Sequence, residues 1–352
     1  MSVCNLSRPF SSFVARKSIP FTRKRSSGGS TISCLSLNHS TKFRRDYTSV
    51  MIVPTGVGAA IGGYAGDALP VARALSSVVD CLISHPNVLN AAMLYWPMPN
   101  TLYVEGYALD RFAEGLWALQ PVHQNRVGLV LDAGIEEDLR LRHLQVADAA
   151  RASLGLNVVE YVVTDTPLEG VDILAGVEAV ISHLVVREFC IPCAHAPALS
   201  PPSLCPSLCP KSAAEELGYT FLPCVLAGLS NAPQYLEMNS ASLEKGCILA
   251  SDVDSVILPI DACGGDGALA FARNQRTKPL IIVVEENETV LDDTPDNLGI
   301  EAVKVSNYWE AIGVVAGHKA GVNPHSLRRD GIKNLQGGSL KPANGFAVSS
   351  AH

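Results

Sequence analysis

From residue 49 onward, short runs of β-branched and other apolar residues alternate with longer stretches whose apolar positions recur every three or four residues. The first pattern belongs to strands buried on both faces and the second to amphipathic helices. Strands are therefore expected over 49–54, 127–131, 158–163, 220–227, 253–259, 280–284 and 302–305. Helices are expected over 68–82, 136–154, 177–186, 212–217, 268–273 and 309–320. In the second of these, Leu139, Leu144, Ala147 and Ala150 fall near one face. The aromatic, proline-punctuated block 86–107 reads as an irregular connection or a pocket wall, and the Pro/Cys-rich stretch 191–210 as a loop.

Strands alternating with helices specify a parallel sheet covered on both faces. The expected class is α/β: three layers around a mostly parallel, Rossmann-like sheet. The chain has 352 residues, 47% of them hydrophobic. That suffices for a substantial core and leaves room for a division into two lobes. No window approaches the roughly 18 uninterrupted apolar residues of a spanning helix.

Charge divides the chain. Residues 1–48 hold nine Lys/Arg against one acid, Asp46, with eleven Ser, four Thr and no long apolar run. A basic, Ser-rich, acid-poor leader has the composition of an organellar transit peptide, and its hydroxyl content favours the chloroplast. A basic tail that binds an anionic partner is the alternative. The expected organisation is a disordered transit peptide over 1–48, an α/β domain over 49–322 and a loose Gly/Ser-rich tail over 323–352. Beyond the leader 18 basic residues face 33 acidic ones, which argues against nucleic-acid affinity. Eight scattered Cys fit a reducing compartment. These features together predict a soluble stromal protein without membrane contact.

In a parallel α/β sheet, ligands bind beyond the carboxyl ends of the strands. Three loops qualify. The first, 55–67, carries Thr55, Gly56, Gly58, Gly62 and Gly63 ahead of a helix, so its backbone amides can approach an anion. It has neither a Walker spacing nor a dinucleotide fingerprint, and a glycine-lined packing turn is the plain alternative. The second runs Asp261-Ala-Cys-Gly-Gly-Asp-Gly267, in which Gly264 and Gly265 could cradle an anion and Cys263 could act as a nucleophile or simply pack. Its Gly-Gly-Asp-Gly resembles the phosphate-binding segment of NAD kinases and diacylglycerol kinases, but too little chain follows for their second domain. The third gathers His183, Arg187, Cys190, Cys193 and His195. With Cys205 and Cys209 the spacing is C-x2-C-x11-C-x3-C, superficially that of zinc, although the Pro-rich spacer lacks the turn chemistry of a zinc knuckle and no metal is assigned. His183 and His195 suit acid–base roles, since imidazole titrates near working pH. Arg187 suits a carboxylate or phosphate partner.

The segments PTGVGAAIGGYAGDALPVARAL, HPNVLNAAMLYWPMPNTLYVEGYALDRF, LDAGIEEDLRLRHLQVADAARASLGLNV, EAVISHLVVREFCIPCAHAPAL and AAEELGYTFLPCVLAGLS resemble domain-of-unknown-function family 3326. The resemblance spans about residues 50–322. It implies a plastid address and cyanobacterial ancestry and carries no reaction or cofactor with it. Members of that family have a longer stretch between the segments that correspond to 164–167 and 175–179, where seven residues stand here.

The leading expectation is an enzyme or binding protein for a small anionic metabolite. Backbone amides of 55–67 and 263–267 would hold the ligand, and His183, His195 and Arg187 would close the site. The rival is a non-catalytic plastid factor that binds a protein partner through Tyr95, Trp96 and Tyr103. A phosphotransferase built on the Gly-Gly-Asp-Gly loop is a lesser alternative.

Overall fold

The computed structural model describes residues 2–5, 46–53, 68–122, 125–167, 176–198, 218–238, 246–274, 277–287, 289 and 291–327. Its largest sheet has six parallel strands: β2 (Thr48–Met51), β3 (Cys81–Ser84), β4 (Thr101–Tyr103), β10 (Val253–Pro259), β11 (Leu280–Val284) and β12 (Val303–Val305). Their spatial order is β12-β11-β10-β2-β3-β4. The chain winds outward from β2 to β4, returns to lay β10 beside β2, and winds outward again. The direction of winding therefore reverses between β2 and β10.

Strand residues alternate between two apolar clusters, as a period of two requires. Met51, Leu82, Tyr103, Ile257, Ile282 and Val284 join one cluster with α1 (Ala68–Val78), α2 (Pro86–Tyr95) and α9 (Tyr308–Lys319). Val50, Ile83, Leu102, Val256, Leu258, Ile281 and Val283 join the other with α3 (Gly106–Ala113) and α7 (Asp266–Arg273). Phe112 and Phe271, both fully buried, meet edge to face at 6.2 Å and lock α3 to α7. The short α8 (Pro295–Leu298) lies between β11 and β12; Thr294 caps it, and Gly299 ends it with φ 66°.

A second, mixed sheet has the order β7-β6-β1-β8. In it β6 (Arg126–Leu131) runs parallel to β7 (Asn157–Val163), and β1 (Ser2–Asn5) runs antiparallel to both β6 and β8 (Cys193–His195). Helices α4 (Glu137–Leu154) and α6 (Gly218–Ser230) pack together beside it, and α6 also packs on α2. A ribbon of β5 (Trp117–Gln120) and β9 (Gln234–Glu237) lies near α3. The last helix of the second cluster is α5 (Gly176–Phe189).

The α/β class stands, with antiparallel strands added to the parallel ones. Several local expectations change. Ser2–Asn5, inside the segment expected to be disordered, is a strand. The helix begun at Ala68 stops at Val78, because Tyr47 and Asp80 tie the next turn down: Tyr47 N donates to Asp80 Oδ2 at 2.8 Å and Asp80 N to Tyr47 O at 3.0 Å. Block 86–107 is regular, comprising α2, β4 and the start of α3. Pro86 sits in the first helical turn, where a missing N–H costs nothing. The expected strand 220–227 is part of α6, and the expected loop after 191 contains β8. The helix expected over 212–217 and nearly all of the tail lie outside the described residues.

Candidate functional site

The carboxyl ends of β2, β3 and β4 lie in a row and lead into Val53, His85 and Glu105. Glu105 follows β4 and caps α3: its Oε2 accepts from Tyr107 N at 2.9 Å and Ala108 N at 3.3 Å. Its other oxygen, Oε1, forms an ion pair with His183 Nδ1 from α5. The carboxylate side chain is 6% exposed and the imidazole 50%. A buried carboxyl group thus holds a half-exposed ring. The hydrogen bond that His183 donates to Glu105 raises the His183 pKa, overcoming the opposing effect of burial. Below this pair, the buried Tyr235 hydroxyl accepts from Glu105 N at 3.2 Å. Its ring stacks on Trp117 at 5.6 Å, and Trp117 meets Tyr107 edge to face.

His195 comes from β8 with the opposite character. Its Nδ1 lies 3.1 Å from Ser182 Oγ, and burial pushes its pKa down to about 4, with nearby His183 adding to the effect. It is neutral at physiological pH, whereas its neighbour is poised to carry a proton. Arg187 lies one turn beyond His183 on α5, exposed, with Nε 3.5 Å from Glu188. Sequence reading therefore singled out His183, His195 and Arg187, and α5 and β8 bring them to one region. It missed Glu105 and Tyr235.

The loop after β10 is occupied from within. Asp110 Oδ1 accepts from Gly267 N at 2.9 Å, and Cys263 N donates to Asp293 O at 2.9 Å. A Cβ on Gly264 would overlap the Asp293 carboxylate, so the glycine is needed for that close approach. Gly265 precedes α7 with φ −64° and ψ 150°, an extended conformation open to any residue. The Asp293 carboxylate beside Gly264 and the Asp110 carboxylate at Gly267 N are unfavourable to an anion in this loop, which bears against the cradle expected at Gly264 and Gly265. Cys263 is fully buried, its thiol is directed at Pro259 O and Ile260 O, and burial raises its pKa to about 12. That thiol packs; it is not activated as a nucleophile.

The other glycine loop, with Thr55, Gly56, Gly58, Gly62 and Gly63, lies outside the described residues. Val53, ahead of it, is held on both sides: its N donates to His85 Nε2 at 2.8 Å, and Asn87 Nδ2 donates to its O at 3.2 Å. His85 is thereby fixed as an acceptor, and burial lowers its pKa to about 4. Glu286 accepts from Tyr308 N and Asn287 donates to the Tyr308 hydroxyl, so both anchor α9. Of the aromatic trio, Tyr103 is core, Trp96 lies under Arg73 at 4.6 Å, and Tyr95 is exposed. The Tyr95 and Trp96 rings lie tilted with centroids 6.5 Å apart, and Tyr103 is withdrawn from the surface. Cys205 and Cys209 lie outside the described residues, and the described His, Cys, Asp and Glu form no metal-binding group.

The sequence pattern of a protein family of unknown function, DUF3326, matches residues 48–169 and 167–328. The chain is 50% identical over 341 residues to an uncharacterized lipoprotein of Synechococcus sp., in a match that covers 80% of this chain and 94% of that one. No solved structure matches. A lipoprotein is held to a membrane surface by acyl chains. That relative's name overturns the expectation of a soluble chloroplast-stroma protein without membrane contact, which rested on the leader's composition, the acidic body, the scattered cysteines and the family resemblance. No helix among the described residues is long and apolar enough to cross a membrane. By the extent of both matches, the chain belongs to the DUF3326 family.

Proposed function

We propose that the carboxyl edge of the parallel sheet binds a small anionic metabolite at the Glu105–His183 pair, with His183 as cation and proton donor. The reversal of winding between β2 and β10 supports the reading of a doubly wound, Rossmann-like sheet, and such sheets bind ligands outside the carboxyl ends of their strands. One observation carries the reading: at that edge a buried carboxylate pairs with a half-exposed imidazole and raises its pKa. Protonated His183 offers its free Nε2–H to an anion, and Arg187 on the same helix face supplies a second, forked donor. Should the ligand react, His183 gives up its proton while Glu105 holds the ring in place, an arrangement suited to general acid catalysis. Neutral His195 beside it contributes a hydrogen-bonding group without charge.

Thermal shift of the full chain with inorganic phosphate and a panel of mono- and dicarboxylates tests this reading. Stabilisation by at least one anion is expected below neutral pH and should fade under alkaline conditions. It should also be lost in His183→Ala and weakened in Arg187→Ala. Indifference to every anion at both pH extremes contradicts it.

The lipoprotein relative supports a second reading, that the protein works at a membrane surface. Detergent-phase partitioning of the expressed full chain should place it with the membrane fraction; recovery wholly in the aqueous phase contradicts this.

A further inference from the structure

The opposite, amino edge of the parallel sheet holds a cavity of about 400 Å³. It lies where β11 and β12 begin, so that Leu280 and Val303 join Leu298 of α8 and Ile300 in an apolar wall. Four basic residues from four segments share the lining. Arg273 ends α7, Lys278 stands in the turn before β11, His318 is in the last turn of α9, and His325 belongs to the short helical turn Pro324–Leu327. Glu301 is the one acid among the described lining residues. That excess of base reverses the balance of the chain beyond residue 48, where acids outnumber bases.

Two of the four are fixed in place. Lys278 has φ 41°, in the left-handed region that an L side chain occupies under strain, and its N donates to Asn274 O at 3.1 Å to close the turn. Glycine would adopt that conformation freely, yet a lysine stands there and reaches the cavity. The His318 ring is held by Tyr47, whose hydroxyl lies 2.7 Å from Nδ1 and whose ring meets it edge to face, so Nε2 is the nitrogen left to a ligand. A cation in the last turn of a helix also offsets the carbonyl end of that helix, which accounts for Arg273 and His318 one at a time. It does not account for Lys278 in its turn, nor for all four meeting at one cavity.

We infer that this cavity binds a phosphomonoester whose alcohol part is apolar, at a site separate from the Glu105–His183 edge. Donors arriving from four segments suit the three terminal oxygens of such a group better than the two coplanar oxygens of a carboxylate. Arg273 supplies a forked donor and Lys278 a point charge. The volume is that of a small-ligand pocket rather than of a bare phosphate, and the wall of Leu280, Leu298 and Ile300 gives the remainder an apolar surface.

Isothermal titration calorimetry with phenyl phosphate and with inorganic phosphate, on the full chain and on its His183→Ala variant, tests the inference. Phenyl phosphate should bind the His183→Ala variant, where the other anion site is disabled. Inorganic phosphate, which leaves the apolar wall unused, should bind that variant about tenfold or more weakly, and Leu298→Asn should narrow the gap. Arg273→Ala and Lys278→Gly should each weaken phenyl phosphate binding by about tenfold or more. Lys278→Gly also relieves the left-handed strain, so it should melt no lower than the wild type and its loss of binding is separable from unfolding. Flotation with phosphatidate vesicles distinguishes the source: capture that depends on Arg273 and Lys278, without a response to phenyl phosphate, assigns the same chemistry to a lipid headgroup. Binding in neither format overturns the inference. So does phenyl phosphate binding that disappears in His183→Ala, or that persists unchanged in both Arg273→Ala and Lys278→Gly.

Discussion

At Glu105 one carboxylate performs two tasks. One oxygen satisfies the first amides of α3, and the other holds the proton-bearing face of His183. Glu105→Gln keeps an acceptor for the cap but removes the charge, so the His183 pKa should fall toward its ordinary value of about 6.5 with little loss of stability. Glu105→Ala also uncaps α3 and should cost about 1–2 kcal/mol in chemical denaturation. The buried histidines set a pH dependence whose sign follows from their direction of shift. His85 and His195 have folded pKa values of about 4, below the unfolded value of about 6.5. Their neutral forms stabilise the fold fully above the unfolded value, and that contribution is lost as pH falls toward 4. His183 runs the other way: its contribution is present in acid and disappears as pH rises through its raised pKa. Urea melts on the acid side should therefore show stability falling with pH, by up to about 1.4 kcal/mol per unit for each buried ring. His85→Asn, which keeps a polar group near Val53 N, should flatten part of that slope. An unchanged slope in that variant contradicts the assignment.

Among elements, α6 shows how close packing decides what a run of apolar residues becomes. Gly228 faces the Tyr103 ring so closely that a Cβ would overlap it. The ring is buried, with its hydroxyl 2.6 Å from Asn90 Oδ1, so it cannot swing away. Gly228→Ala should destabilise by about 1–3 kcal/mol in thermal or urea unfolding, despite the better helix propensity of alanine. A neutral or stabilised variant would show that α6 and β4 are not in contact. This segment was not legible in the sequence. Residues 220–227 are apolar on nearly every side, and such a run suits a buried helix as well as a buried strand. Pro223 lies within the helix even so. The strands β10 and β11 were legible from their buried apolar runs, Val256–Pro259 in the one and all of Leu280–Val284 in the other. Reading the proline-punctuated block 86–107 as irregular hid α2, then β4, and with β4 the position of Glu105 just beyond a strand end. Had the strand been recognised, an acid followed by Gly106 at the start of a helix would have been the signal.

At the scale of the whole molecule, the sheet order is what gives the site its place. Local pattern showed a parallel α/β sheet but not which strands neighbour one another, since register and order are tertiary facts. β1 pairs residues 2–5 with strands more than a hundred residues away, and nothing in four residues of an otherwise basic leader announces it. The reversal between β2 and β10 marks the edge where a ligand is expected, and the row Val53, His85, Glu105 lies along that edge. The Asp110 carboxylate accepts from Gly267 N in the loop after β10 and, with Glu105, helps to raise the His183 pKa. The most direct test is an NMR titration of the His183 imidazole in the full chain, with and without inorganic phosphate and in Glu105→Gln. The wild-type ring should titrate above about 6.5, shift higher with phosphate, and fall back in the variant. A ring that titrates at or below that value, unmoved by phosphate or by the substitution, would contradict the site.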